Sequence, residues 1–125
     1  MRFLIIEDDF VSTLILEDLL KNYGTCKVLS RPQKVFDIMD EILDNTFDII
    51  FLDIMMPEID GIEILKAIRN EEDKKNDLKK KNIIVMQSAL NEKSIIEESK
   101  KNDCNDFLEK PLNIKQLEVI ISKYK

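Results

Sequence analysis

DIIFLDIMMPEIDG, residues 48–61, is the most informative run in the chain. Four consecutive apolar residues, 49–52, end on a carboxylate, Asp53. A loop stiffened by Pro57 follows, and Asp60-Gly61 opens a new amphipathic segment. A short apolar run between turn signals suits a strand buried on both faces. Open α/β sheets keep their chemistry outside the carboxyl ends of such strands, which is where Asp53 stands. A carboxylate in that place is a ligand, a nucleophile or a helix cap.

The same alternation recurs on either side. Residues 3–6 read as a strand closed by Glu7-Asp8-Asp9. Residues 10–23 carry Val11, Leu14, Ile15, Leu19 and Leu20 at helical spacing, with Asp9 as cap and Gly24 as stop. Residues 26–29 form a short strand, and Ser30-Arg31-Pro32 starts a helix with Val35, Phe36, Met39, Ile42 and Leu43 as its stripe. After the central strand, Asp60 and Glu63 have capping-box spacing, and Ile64, Leu65 and Ile68 supply the buried stripe. Residues 71–81, EEDKKNDLKKK, hold nine charges in eleven positions. They read as an exposed helix extension and loop, with pairs such as Glu71 and Lys75. Residues 82–86 return to a strand, which Gln87-Ser88-Ala89 end with a hydroxyl. A helix over about 92–101, with Ile95 and Ile96, precedes a last strand at 107–108. Asn113 and Gln116 then cap a final helix faced by Leu117, Ile120 and Ile121.

Five strand–helix repeats imply a parallel sheet with helices on both sides, joined by right-handed crossovers. A length of 125 residues suits one domain, 1–125, with no linker. The net charge of −6 argues against nucleic acid or a membrane surface as a direct partner. Cys26 and Cys104 make neither a metal spacing nor a disulfide framework, so a reduced, cytoplasmic setting is expected. The opening apolar positions are too few for a signal peptide or membrane insertion. The absence of histidine removes histidine triads and histidine-bound metals, and means that the chain cannot itself carry phosphohistidine.

A parallel sheet gathers Glu7, Asp8, Asp53, Ser88 and Lys110 on one edge. Singly, each is more often a cap, a turn residue or a surface charge. Together, three converging carboxylates repel one another and call for a cation. Hard oxygen ligands suit Mg²⁺, or Mn²⁺ in its place, and such a metal shields a carboxylate while a phosphoryl group binds. With Lys110 as a mobile positive charge and Ser88 as a hydroxyl donor, the set suits an aspartate nucleophile that accepts a phosphoryl group.

The pieces FLIIEDD, FLDIMMPEIDG, MQSA and FLEKPLN resemble, in order and spacing, the receiver domain of bacterial two-component response regulators. The likeness runs from end to end of the chain, and is to the stand-alone, chemotaxis-regulator-like members. It implies a flavodoxin-like (βα)5 doubly wound sheet of order 2-1-3-4-5. It also implies that Asp53 is the phosphoacceptor, that Asp8 and Asp53 bind Mg²⁺ directly, and that Glu7 does so through water. The backbone carbonyl of Met55 completes the protein ligands. Ser88 becomes the switch hydroxyl, Lys110 the phosphate's partner, Phe107 the inward-turning aromatic, and Lys110–Pro111 a cis bond. A histidine kinase or phosphotransfer protein would supply phosphohistidine, and the face over about residues 91–124 would bind a downstream target. On this reading the chain is no enzyme beyond its own phosphoryl transfer and dephosphorylation.

Three departures stand out. The segment 69–82 is long and charged. Residues 102–104 lack a glycine, which predicts a local loop change. Met55 and Leu90 are apolar where a water-orienting group would stand, so slow hydrolysis of the phosphorylated state is expected. Two other readings compete. A phosphorylation-independent interaction module on the same fold is disfavoured because every chemical position is filled. A phosphatase of the haloacid dehalogenase type needs a second acid two residues after the nucleophile, and Met55 leaves that role empty.

Overall fold

The computed structural model describes residues 1–89 and 93–125. Strands β1 (Arg2–Ile6), β2 (Thr25–Leu29), β3 (Ile49–Asp53), β4 (Ile84–Ser88) and β5 (Asp106–Glu109) form one parallel sheet. Its order is β2-β1-β3-β4-β5, the flavodoxin-like arrangement. The helices are α1 (Phe10–Leu20), α2 (Met39–Leu43), α3 (Gly61–Lys74), α4 (Lys93–Lys101) and α5 (Ile114–Tyr124). None of the described helices is long and apolar enough to cross a membrane.

Period-two alternation sends each strand's side chains to two cores. Leu4, Ile6, Ile50, Leu52, Ile84 and Met86 pack with Ile64, Leu65 and Ile68 of α3 on one side. Phe3, Ile5, Ile49, Phe51, Val85 and Leu108 pack with Leu16 and Leu20 of α1 and Leu117, Ile120 and Ile121 of α5 on the other. Strand β3 is buried at all five positions, which accounts for its unbroken apolar run.

Helix α1 turns a different face to the sheet from the one its spacing predicts. Thr13, Leu16 and Leu20 are buried, whereas Val11, Leu14 and Ile15 are exposed together with Phe10. The segment is apolar nearly all round, so periodicity alone cannot choose its inner face. The helix stops at Leu20, whose carbonyl accepts the N–H groups of Tyr23 and Gly24. The second helix is also not continuous. Pro32–Ile38 is 3₁₀, and only Met39–Leu43 is α. Buried Pro32 and Val35 and half-buried Ile38 recur every three residues, the 3₁₀ repeat, while Phe36 points outward. Strand β4 lies two residues later than the apolar run suggests and takes in Gln87 and Ser88. Where a glycine is missing from 102–104, Asp103 adopts the left-handed conformation itself, at φ 69°.

The charged segment is mostly exposed, but Glu72 is 2% exposed and pairs with Arg69. The Arg69 guanidinium donates to Glu72 Oε1 at 2.7 Å, to the Asn82 carbonyl at 2.9 Å, to the Asp103 carbonyl at 3.0 Å and to Asn105 Oδ1 at 2.9 Å. Glu72 Oε2 accepts from the Asn82 backbone and side chain at 2.6 and 2.9 Å. The network clamps the end of α3 to the starts of β4 and β5. Glu71 pairs with Lys74 at 3.4 Å instead of Lys75, which approaches Asp44 and Asp77. Arg69→Ala strands a buried carboxylate and is expected to destabilise the protein by about 3–5 kcal/mol in urea unfolding. Lys74→Ala, at an exposed pair, should leave the midpoint nearly unchanged.

Candidate functional site

The carboxyl edge of the sheet assembles the site from strand ends. Glu7 and Asp8 follow β1, Asp53 and Ser88 are the last residues of β3 and β4, and Lys110 follows β5. Asp9, the third acid of its run, is diverted to capping α1, where Oδ2 accepts from the Ser12 N–H at 3.0 Å and its hydroxyl at 2.6 Å. Glu7 and Asp53 are 2% and 3% exposed, while Asp8 is exposed. One oxygen from each of the three carboxylates lies within 4.8 Å of the others. Lys110 Nζ pairs with Glu7 Oε1 and stands 3.4 Å from Asp53 Oδ1.

The loop after Asp53 is drawn tight beneath the site. Ile54 N–H donates to the Gln87 carbonyl at 3.0 Å, and Gly61 N–H to the Ile54 carbonyl at 2.9 Å. A Cβ on Gly61 would fall 2.1 Å from the Asp53 carbonyl oxygen, so only glycine allows this approach. Asp60 then caps α3, accepting from Ile62 and Glu63 at 2.7 and 3.4 Å. Met55, whose carbonyl the resemblance names as a ligand, lies in this loop with its side chain exposed. Ser88 is fully buried, and its carbonyl accepts the Lys110 N–H at 2.8 Å. Phe107 is half-buried against the α3-side core, and the Lys110–Pro111 bond is cis. Leu90 lies outside the described residues, as do 91 and 92 of the expected output face.

The electrostatics are those of crowded acids. Burial, then the neighbouring Asp53, raises Glu7 to about 7 against the opposing pull of Lys110. Burial also raises Asp8, with the charge of Glu7 adding to it. For Lys110, burial acts downward but is outweighed by the hydrogen bond to Glu7 and the charges of Asp53 and Glu7, so its net shift is upward. Asp53 Oδ1 is buried with no hydrogen-bond partner among the described residues. Three converging carboxylates with one such oxygen fit a hard divalent cation.

Two features escaped the sequence. Phe10 (73% exposed), Val11, Leu14 and Ile15 form an apolar surface on α1, and periodicity alone assigns the last three to the core. Ile15 also lines a cavity of about 140 Å³ with Ser12, Lys110, Pro111 and Leu112, so this surface borders the site. On the other flank, a groove of about 610 Å³ runs from Asp8 past Arg31, Lys34, Pro57 and Glu58. Arg31 and Lys34 sit in a segment that reads only as a helix start.

The raised Glu7 makes a signed prediction. Between about pH 4.5 and 7 the folded protein holds a proton that the unfolded chain releases. The contribution of Glu7 to stability is therefore present below that window and lost as pH rises through it. In metal-free thermal unfolding, the wild type should lose Tm relative to Glu7→Gln as pH climbs from 4.5 to 8. Parallel curves would refute the assignment.

Known proteins resemble the chain in sequence and in fold. Stress response regulator protein 1 of Debaryomyces hansenii is 43% identical over 72 residues, 57% of this chain. The chain spans only 29% of that relative's length. The receiver domain of Saccharomyces cerevisiae Ssk1, solved with the histidine phosphotransfer protein Ypd1, superposes with a TM-score of 0.85 at 28% identity. That match covers 99% of this chain and 88% of the other. The receiver domain of the Arabidopsis thaliana histidine kinase CKI1, solved with Mg²⁺ and BeF3⁻, superposes at 0.83 with 26% identity, over 98% of this chain and 88% of that one. The family model for the response regulator receiver domain matches residues 3–122, and the chain belongs to that family.

Proposed function

We propose that the chain is a phosphorelay receiver that accepts a phosphoryl group on Asp53 from the phosphohistidine of a histidine kinase or phosphotransfer protein. The observation that carries this is the buried Asp53 carboxylate, within 4.8 Å of Glu7 and Asp8 and 3.4 Å from the Lys110 ammonium. An Asp53 oxygen attacks phosphorus in line, the P–N bond to the donor histidine breaks, and an acyl phosphate forms. Lys110 stands ready to neutralise the phosphoryl oxygens, and Ser88 offers its hydroxyl to one of them. Asp8 and Asp53, with Glu7 through water and the Met55 carbonyl, would hold Mg²⁺, which supplies charge neutralisation at the acceptor.

The acyl phosphate biases a two-state equilibrium that is read on the surface of α4, β5 and α5 by a downstream protein. The chain turns over no external substrate on this reading. The exposed side chain of Met55 cannot orient water, which supports a long-lived phosphorylated state. The apolar surface of α1 lies where a donor must approach Asp53, and the groove past Arg31 opens on the other side. In support, the Ssk1 receiver was solved with a phosphotransfer protein, Ypd1.

Incubation with Mg²⁺ and acetyl phosphate is expected to add one phosphoryl group to the wild type by intact mass, and none to Asp53→Ala. A gain in both would place the acceptor elsewhere. No gain in either, even from a phosphotransfer donor, would favour a phosphorylation-independent interaction module. Ile15→Glu, on the exposed α1 surface, should cut phosphorylation by a phosphotransfer protein at least about tenfold, the scale of an interface hot spot. Its phosphorylation by acetyl phosphate should stay at the wild-type rate.

A further inference from the structure

Gln87 belongs to neither core. Along β3 and β4, Leu52 and Met86 face the α3 side, while Phe51 and Val85 face the α1–α5 side. By the same alternation Asp53 and Gln87, which are partners in the β3–β4 register, both face the α1–α5 side. A carboxamide therefore stands on the strand beside the acceptor, at the same level. Gln87 is 1% exposed, and its Nε2 has no hydrogen-bond partner among the described residues. Asp53 Oδ1 likewise accepts no hydrogen bond among the described residues, with the Lys110 ammonium 3.4 Å away. Buried polar groups are costly to leave unpaired. Here an unmet donor and a carboxylate oxygen that accepts no hydrogen bond lie on neighbouring strands in register.

The course of Lys110 places the amide further. It starts just beyond β5, yet its ammonium reaches Asp53 on β3 and Glu7 on β1. Strand β4 lies between β5 and β3, so the lysine side chain crosses the end of β4. Gln87 is the residue near that end facing the same side. Glutamine can donate to a carboxylate and accept from an ammonium at once. An apolar residue could do neither.

We propose that Gln87 is a positioning residue for the phosphoacceptor. Its side-chain N–H donates to Asp53 Oδ1 and fixes the carboxylate rotation, so that the other oxygen is presented to phosphorus. Rotation about the terminal torsions of the two side chains, which are broad and soft, makes the bond. The proposal rests on the reading of Asp53 as acceptor. Because the bond acts on acceptor orientation, its loss lowers the rate at saturating donor and leaves donor half-saturation unchanged.

Gln87→Met keeps length and approximate volume and removes the donor. It is expected to fold, and to be phosphorylated by saturating acetyl phosphate about tenfold more slowly than wild type, as loss of a hydrogen bond to a charged group implies. The second measurement is the side-chain amide spectrum of ¹⁵N-glutamine protein. There are three glutamines, Gln33, Gln87 and Gln116, and the Gln87 pair is identified by its disappearance in Gln87→Met. Asp53→Ala should shift the Gln87 amide protons upfield and speed their exchange. An unchanged rate in Gln87→Met overturns the proposal, and so do Gln87 amide signals indifferent to Asp53→Ala. A wild type that takes no phosphoryl group overturns the acceptor reading and the positioning role with it. The amide signals, which need no phosphoryl transfer, would still show whether the bond exists.

Discussion

Two buried carboxylates, Glu7 and Asp53, share one ammonium that reaches them from another strand. Like charges in a desolvated place are unfavourable, and burial, with the neighbouring Asp53, pushes Glu7 up to about 7. The arrangement exists because β1 and β3 are neighbours and β5 lies two strands beyond β3. Parallel pairing brings all their carboxyl ends to one edge. The tight loop closed by Gly61 keeps Asp53 at the rim. Three carboxylates gathered in this way fit a hard divalent cation, whose positive charge offsets their mutual repulsion.

The opposite edge of the sheet shows the contrary treatment of charge. There Arg69 and Glu72 are buried as well, but each finds hydrogen-bond partners in the backbone and side chains of Asn82, Asp103 and Asn105. This network locks α3 against the starts of β4 and β5, although Asn82 Oδ1 within it accepts no hydrogen bond among the described residues. At the other end Gln87 Nε2 has no hydrogen-bond partner among the described residues, and Asp53 Oδ1 has none beyond its 3.4 Å approach to the Lys110 ammonium. Buried polarity thus lies at both ends of the strands, with two apolar cores between them.

An apolar stripe on α1 remains exposed beside the site, although the helix also supplies Leu16 and Leu20 to the core. A helix with two apolar faces can pack on the sheet with one and meet a partner with the other.

Sequence by itself determined the fold class and most of the site. Runs such as 49–52 are apolar on both faces, which suits a central parallel strand. Capping residues Asp9, Asp60 and Asn113 mark helix starts by local hydrogen bonding, which needs no tertiary knowledge. Glu7, Asp8, Asp53, Ser88 and Lys110 were legible because parallel topology collects strand ends wherever they fall in the chain. Tertiary structure alone decided which face of α1 turns inward, since Phe10, Val11, Leu14 and Ile15 repeat with the same period as the buried set. It decided that Pro32–Ile38 is 3₁₀, because packing selected a repeat of three over one of four. It also drew Glu72 inside a segment whose composition reads as solvated, because Arg69 one turn earlier on α3 and Asn82 before β4 both bond to it. Gln87 became significant only once register set it beside Asp53. Periodicity reports the spacing of side chains along one element, whereas burial and partnership depend on what the other elements bring against it.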